Sequence, residues 1–427
     1  MRTVSWGSRF RVREWLDRSW IVVPALYIVA ALALGKLIPS LESGDAGPFG
    51  LSLDRDSARS ILEAVAGGMI AFTGLVVSVA VVVVQFGASQ YTPRLVLRFR
   101  RDTVVKNALG IFIAPAIYAL VSLVDVGDGD VPNLTVAVAV LLLVSAVLAF
   151  FTLVARLLDL LRPRRLYDQL REGCERAIDQ VYPRPFDDAA ADPATALAPP
   201  GDAISFHGRS GVLSALDRVA LVELARASGT TVEVLLPVGS YVHHGAPLFR
   251  LRGDTSAEPP HWALERAAIV AEERTLTQDP AFAIRAIVDI AIRALSPAVN
   301  DPTTAVQGLD VLEAILQLLA RRDLGAGLVD DGDGTPRLLY PAPDWPDLLG
   351  LALTEIRFYG ANSHQVARRM RALLAELFAA VPPGRRPAIE AQVALLDAAV
   401  VRAHPDPGER ALALTADHMG LGGHPPR

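Results

Sequence analysis

The residue types and spacing best suited to chemistry fall between Arg285 and Asp310, in the run RAIVDIAIRALSPAVNDPTTAVQGLD. Arg285, Asp289 and Arg293 recur every fourth residue, which places them on one helix face as an ion-pair ladder. Their neighbours are almost all apolar, so this ladder is expected to be more buried than a surface one. Asn300-Asp301-Pro302-Thr303-Thr304 then starts a second helix, with Asp301 as N-cap and Pro302 at the first helical position. Unpaired backbone N–H groups at such a start favour a carboxylate or a small anion. Two readings follow. One is a structural network tying two helices through a polar turn, the commoner use of caps and paired charges. The other is a ligand or regulatory site for a small anion.

A second set lies in an apolar run. At about 100° per residue, Ser60, Glu63, Gly67, Gly74, Ser78, Gln85 and Ser89 fall within one stripe of a helix whose other faces are Val, Ile, Leu, Phe and Ala. In lipid such a stripe must face protein or water. A tight helix–helix contact is the routine use of small residues and is the favoured reading. A pore lining, made by several copies around an axis, is the sharper one, because packing requires neither Glu63 nor Gln85. Glu63 would then stand near the outer mouth and Gln85 and Ser89 near the inner end.

Other chemistries find no support. The sequence has no G-x-x-x-x-G-K-[ST] loop, H-E-x-x-H or G-x-S-x-G. Cys174 is the sole cysteine, which excludes a disulfide framework and any cysteine-based zinc site within one chain. Neither a metal site nor a cofactor is expected. His243 and His244 are adjacent and point apart on a strand, so they read as exposed turn residues. A net charge of −5 gives no bulk attraction to nucleic acid.

The elements that carry these residues are legible from hydropathy. The 427 residues are 52% hydrophobic and 20% charged, with a mean hydropathy of +0.34. The excess is concentrated before residue 160. Four runs are long enough to span a bilayer, at 20–38, 61–88, 104–124 and 134–158. Arg2, Arg9, Arg11, Arg13 and Arg18 precede the first. Arg94, Arg98, Arg100, Arg101 and Lys106 separate the second and third, and Arg162, Arg164 and Arg165 follow the fourth. The alternate loops carry Glu42, Asp45, Asp54 and Asp56, then Asp125, Asp128 and Asp130. By the positive-inside rule both termini are expected in the cytoplasm of a multi-pass plasma-membrane protein. Pro93, in GASQYTP, is expected to break the long second helix.

The expected organisation is a four-span transmembrane domain at 1–165, then a connecting helix and linker at 166–202. A β-rich module at 203–255, a helical cytoplasmic domain at 256–405 and a flexible tail at 406–427 follow. The fold class is thus an α-helical transmembrane bundle followed by a cytoplasmic α+β region. Strands are expected at 203–206, 210–216, 231–236 and 247–251. Helices are expected at 262–276, from Asp279-Pro280 to 295, from Asp301-Pro302 to 322, and at 344–359, 363–380 and 387–403, with a Gly/Asp loop at 323–337.

The stretch VEVLLPVGSYVHHGAPLFRL, from Val232, resembles the barrel-sandwich modules of lipoyl and biotinyl carriers and of membrane-fusion proteins. The carrier role does not transfer, because the module holds no lysine. QDPAFAIRAIVDIAIRALSPAVNDPTTAVQGLD, from Gln278, with QFGASQYTPRL from Gln85 and IRFYGANSHQVARRM from Ile356, resembles a family of bacterial predicted membrane proteins, domain of unknown function 2254. The resemblance implies an integral membrane protein with four N-terminal spans and a cytoplasmic C-terminal region, and it assigns no function. Partners expected from the whole sequence are the lipid bilayer, further copies of the chain, and a cytoplasmic protein or small anion. Three functions compete: an oligomeric channel lined by the second span, a membrane-anchored scaffold or sensor, and, last, an enzyme using Asp289, Asp301 or Asp310.

Overall fold

The structure is a computed structural model, which describes residues 19–41, 53–90, 102–125, 133–160, 162–187, 198–253, 258–325 and 327–423. The arginines at 2, 9, 11, 13, 18, 94, 98, 100 and 101 lie outside the described residues, as do Glu42, Asp45, Pro93, Asp128, Asp130 and residues 188–197 of the expected linker. The chain divides into two compact units, one of Arg9–Arg162 and one built mainly of Pro163–Arg427.

Among the described residues the first unit contains four apolar helices long enough to cross a membrane. They are α1 (Val22–Leu41), α2 (Arg55–Gln90), α3 (Thr103–Asp125) and α4 (Asn133–Leu160). Each contains at least 18 residues of mean hydropathy 2.0 or more, and an α-helix of about 20 residues spans the hydrocarbon layer. The second helix starts six residues before its apolar run because Asp54 caps it, accepting from the Ser57 N–H at 3.2 Å. Lys106, expected in a basic loop, lies inside the first turn of α3 and is buried.

The third helix, α3, is the centre of this unit and packs on α1, α2 and α4. Phe112 and Tyr118 on α3, Leu62 on α2 and Leu153 on α4 are fully buried. Close approach of α1 and α3 rests on two glycines. A Cβ on Gly110 would fall 2.3 Å from the Tyr27 ring, and one on Gly35 would fall 2.9 Å from Val121. Tyr27 also donates to Asn107 at 3.1 Å. Small-residue packing of the expected kind therefore occurs in this bundle, on helices other than α2.

The second unit opens with the amphipathic helix α5 (Pro163–Val181) and continues with strands β1 (Pro200–Ser205) and β2 (Gly211–Leu216). Next come α6 (Arg218–Ser228), β3 (Thr231–Val234), β4 (Tyr241–Val242), β5 (Pro247–Arg252), α7 (His261–Ala267) and β6 (Ala268–Ala271). The remainder is α8 (Pro280–Ala294), α9 (Pro302–Ala320), β7 (Gly327–Asp330), β8 (Pro336–Tyr340), α10 (Trp345–Gly360), α11 (His364–Ala380), α12 (Arg386–Ala403) and α13 (Pro407–Ala413). One sheet has the order β1-β5-β3-β8-β7, antiparallel except for β3 against β8; the other is the antiparallel trio β4-β2-β6. On β3 the alternation is regular, with Val232 and Val234 buried and Thr231 and Glu233 half-buried.

Four local expectations need correction. Residues 262–276 are not one helix: Ile269 and Val270 are β-branched and pair with Ala215 and Leu213 of β2. The expected loop at 323–337 contains the hairpin β7–β8, whose turn is organised by Asp331 accepting from Asp333 and Thr335. Helix α6 was not expected; Asp217 caps it at Ala220 and Gly229, at φ 69°, ends it. The tail beyond Pro405 is not loose throughout, because Asp406 caps α13 and residues 415–423 bond to α11.

Candidate functional site

Helix α8 is the central helix of its bundle, packed by α5, α9 and α10. Asp279 starts it as expected, accepting from the Phe282 N–H at 2.9 Å and from Arg274 at 3.0 Å. Burial pushes this carboxyl up from its usual value, against the pull of Arg274. Four-residue spacing then brings Arg285 to Asp289 at 2.6 Å. The other face of the Arg285 guanidinium is taken by Glu355 of α10 in a two-point pair, one arm of which measures 2.8 Å. Such fork-to-carboxylate pairs are the strong form of ion pair. Arg285 holds the Glu355 carboxyl below its usual value, and the two carboxylates raise the Arg285 pKa in turn. Arg293, one turn further along, is half-buried.

The turn from α8 to α9 closes on itself. Ser296 oxygen accepts from Val299 and Asn300, and Ala294 oxygen accepts from Asp301. Asn300 sits at φ 50°, the left-handed region that asparagine tolerates better than most residues. Asp301 caps α9 twice, accepting from the Thr304 N–H at 3.1 Å and from its hydroxyl at 2.6 Å. The position that the ligand reading assigned to a small anion is thus taken by the chain's own carboxylate. Thr303 reaches outward to Gln365 at 3.4 Å. The structure brings Arg285 and Asp289 together and puts Asp301 with Thr304, while Asn300 and Thr303 form the rim of the turn.

Sequence reasoning missed the acidic and basic groups that α9 and α11 bring together. Arg369 of α11 bonds Asp310 at 2.7 Å and Glu313 at 2.5 Å, both on α9. Glu376, two turns further along α11, holds His418 of the tail. The available signal was the i, i+3 pair Asp310/Glu313 opposite the paired arginines of QVARRM, and nothing in the sequence aligned the two helices.

The stripe on α2 has a different setting. Leu62, Val65, Ala66, Met69, Val76 and Ala80 form the buried face. Ser60, Glu63, Gly67, Gly74, Ser78 and Gln85 are exposed; the side chain of Ser89 lies outside the described residues. A Cβ added to Gly67, Gly68 or Gly74 would meet nothing within 4 Å. Glu63 pairs with Arg59 at 2.9 Å, a partner not foreseen, and Ser78 turns back to the Gly74 carbonyl at 2.9 Å. The stripe therefore points away from its own bundle.

No group of three or more His, Cys, Asp or Glu side chains suited to a metal ion occurs among the described residues. A family described as "Predicted membrane protein (DUF2254)" matches residues 17–376. Uncharacterized proteins of Mycobacterium bovis and Mycobacterium tuberculosis are each 34% identical over 431 residues, covering 96% of this chain and 81% of theirs. No solved structure matches the chain.

Proposed function

The chain belongs to this family of predicted membrane proteins, and on that premise we propose that it works as an oligomeric membrane conduit, with α2 of each copy turned toward the shared axis. The observation that carries the reading is the outward stripe. A face of Ser60, Glu63, Gly67, Gly74, Ser78 and Gln85 is a poor lipid contact, since polar groups in a span turn toward protein or water. Among the described residues nothing of the chain packs on the glycines of this face. Further copies of the chain would cover its flanks and leave Glu63 and Gln85 lining the path. Four spans in one chain are few to enclose such a path, which also supports an oligomer.

In this reading the membrane is the plasma membrane, both termini are cytoplasmic, and the region after α4 is a cytoplasmic part that assembles or gates the pore. The sheets between Pro200 and Tyr340 supply a barrel-sandwich-like platform for that assembly. An acidic residue near one mouth favours cations. Purified protein reconstituted in planar bilayers is expected to conduct, with Glu63→Gln altering selectivity. Bilayers that stay silent while containing verified protein would refute the conduit. A scaffold binding a cytoplasmic protein would then be the better account. The small-anion sensor is the weaker alternative, because Asp289 and Glu355 already engage Arg285 and Asp301 already caps α9.

A further inference from the structure

One end of the helical part of the second unit gathers the start of α5, the end of α8, the start of α9, the end of α10 and the start of α11. Tyr167 of α5 donates to the Thr304 carbonyl of α9 at 3.1 Å. Gln365 of α11 donates to Thr303 at 3.4 Å. A Cβ on Gly360, at the end of α10, would fall 3.2 Å from Leu295 at the end of α8. The other end gathers the opposite termini. Asp179 of α5 accepts from Arg322, just beyond α9, at 2.5 Å, and Tyr182 donates to the Pro343 carbonyl ahead of α10 at 2.9 Å. The 19 residues of α5 set the two ends about 27 Å apart.

The chain enters this unit at the first of these ends. Helix α4 closes at Leu160 and α5 opens at Pro163, so at most about 11 Å of chain joins them. With α4 read as a span, that tether holds the first turn of α5 near the lipid headgroups.

The exposed groups at this end suit such a surface. Arg164 and Arg165 are exposed on the first turn of α5. Phe358 is 77% and Tyr359 49% exposed on the last turn of α10, and their rings meet edge to face at 5.0 Å. Leu421, next to the Gly420 that Gln365 holds, is 70% exposed, and Ala298 in the α8–α9 turn is exposed as well. Elsewhere in the unit, Trp262 and Phe378 each carry an arginine over the ring. The carboxylates at this end are engaged: Asp168 with Arg164 at 3.4 Å, Glu409 with His364 at 2.7 Å, and Asp301 with its own helix. A clustered apolar patch marks a contact surface, and aromatic rings beside arginines are the composition of a membrane interface.

We infer that this end of the unit rests on an anionic lipid surface. Phe358, Tyr359 and Leu421 enter the headgroup layer, and Arg164 and Arg165 meet lipid phosphates. The inference rests on α4 being a span, as in the function proposed above, and not on conduction.

The test uses full-length protein in nanodiscs of phosphatidylcholine, with and without phosphatidylglycerol. A bimane label on Ala298→Cys reports this end. One on Val219→Cys reports the other, where Val219 is 70% exposed and the adjacent Arg218 donates to the Gln180 carbonyl of α5. Cys174 is buried, and wild-type protein supplies the labelling background. Lipids carrying a headgroup nitroxide are expected to quench the Ala298 label about twofold or more beyond the Val219 label. Phe358→Ser with Tyr359→Ser is expected to lower that quenching. Arg164→Gln with Arg165→Gln is expected to remove the increase that phosphatidylglycerol gives. All four side chains are exposed, and an unchanged melting temperature verifies the fold of each variant. Equal quenching at the two positions, or none at Ala298, would overturn the inference. So would an Ala298 label shielded from aqueous iodide yet untouched by lipid nitroxides, which is the signature of a protein partner. Protein that does not enter nanodiscs would overturn both the inference and its premise, whereas a silent bilayer recording bears on the conduit alone.

Discussion

Arg285→Met separates the structural role of the α8 cluster from a ligand-binding one. The change keeps the aliphatic stem and removes the cation shared by Asp289 and Glu355. Truncating one member of a buried pair costs about 3–5 kcal/mol, while an exposed pair contributes about 0.2–1 kcal/mol. The side chains of Arg285, Asp289 and Glu355 are 25%, 29% and 43% exposed, so the cost belongs between those limits, at about 2 kcal/mol. In a unit of this size that lowers the melting temperature by about 4–8 °C. The assay is thermal unfolding of full-length protein in detergent, with Glu355→Gln and the double variant completing a cycle. Because Arg285 holds the Glu355 carboxyl below its ordinary value of 4.5, the pair's contribution is present above that pH and lost as pH falls below it. Arg285→Met should therefore flatten the acid limb of the stability profile. A variant that melts at the wild-type temperature or higher would refute the structural reading, since a cation held ready for an anion is a liability without one.

Three further outcomes follow from the geometry. Gly110→Ala, which drives a methyl into the Tyr27 ring, should destabilise the helical bundle by about 1–3 kcal/mol, while Gly74→Ala should leave the fold of a single chain intact; thermal unfolding monitored by circular dichroism compares the two. Asp301→Ala removes both bonds to Thr304 and should cost about 1 kcal/mol, read as a lower melting temperature, with Asp301→Asn recovering most of it. Asp331→Ala should raise the exchange rates of the Asp333 and Thr335 amides without changing those of α8.

The four long helices were legible because bilayer-length apolar runs are strong, local signals. The starts of α8 and α9 were legible for a related reason: Asp-Pro encodes a cap and a first helical residue within two positions. Strand β6 was misread because Ala268–Ala271 follows a helical turn without a break, and its pairing partner β2 lies more than fifty residues earlier. Strand β8 was hidden for a different reason: its hairpin partner β7 is adjacent, but the Gly- and Asp-rich run that joins them reads as loop, and its other partner, β3, is remote. At the candidate site, Arg285 and Asp289 were readable from i, i+4 spacing. Glu355 was not, because the register of α8 against α10 is set by packing. The direction of the α2 stripe was also beyond a single helix's periodicity. The pattern defined a face, and only the placement of Leu62, Met69 and Val76 against the other helices showed that this face turns outward.

The most direct test of the central claim is disulfide cross-linking of single cysteines on α2 in native membranes. Gly74→Cys and Ser78→Cys lie on the stripe, whereas Val79→Cys is exposed as well but points about 100° away from Ser78. Cys174, the native thiol, is buried and serves as the background. If copies of the chain meet along the stripe, mild oxidation links the two stripe variants into dimers and leaves Val79→Cys monomeric. Equal cross-linking at all three positions, or none at Gly74 and Ser78, would contradict the account.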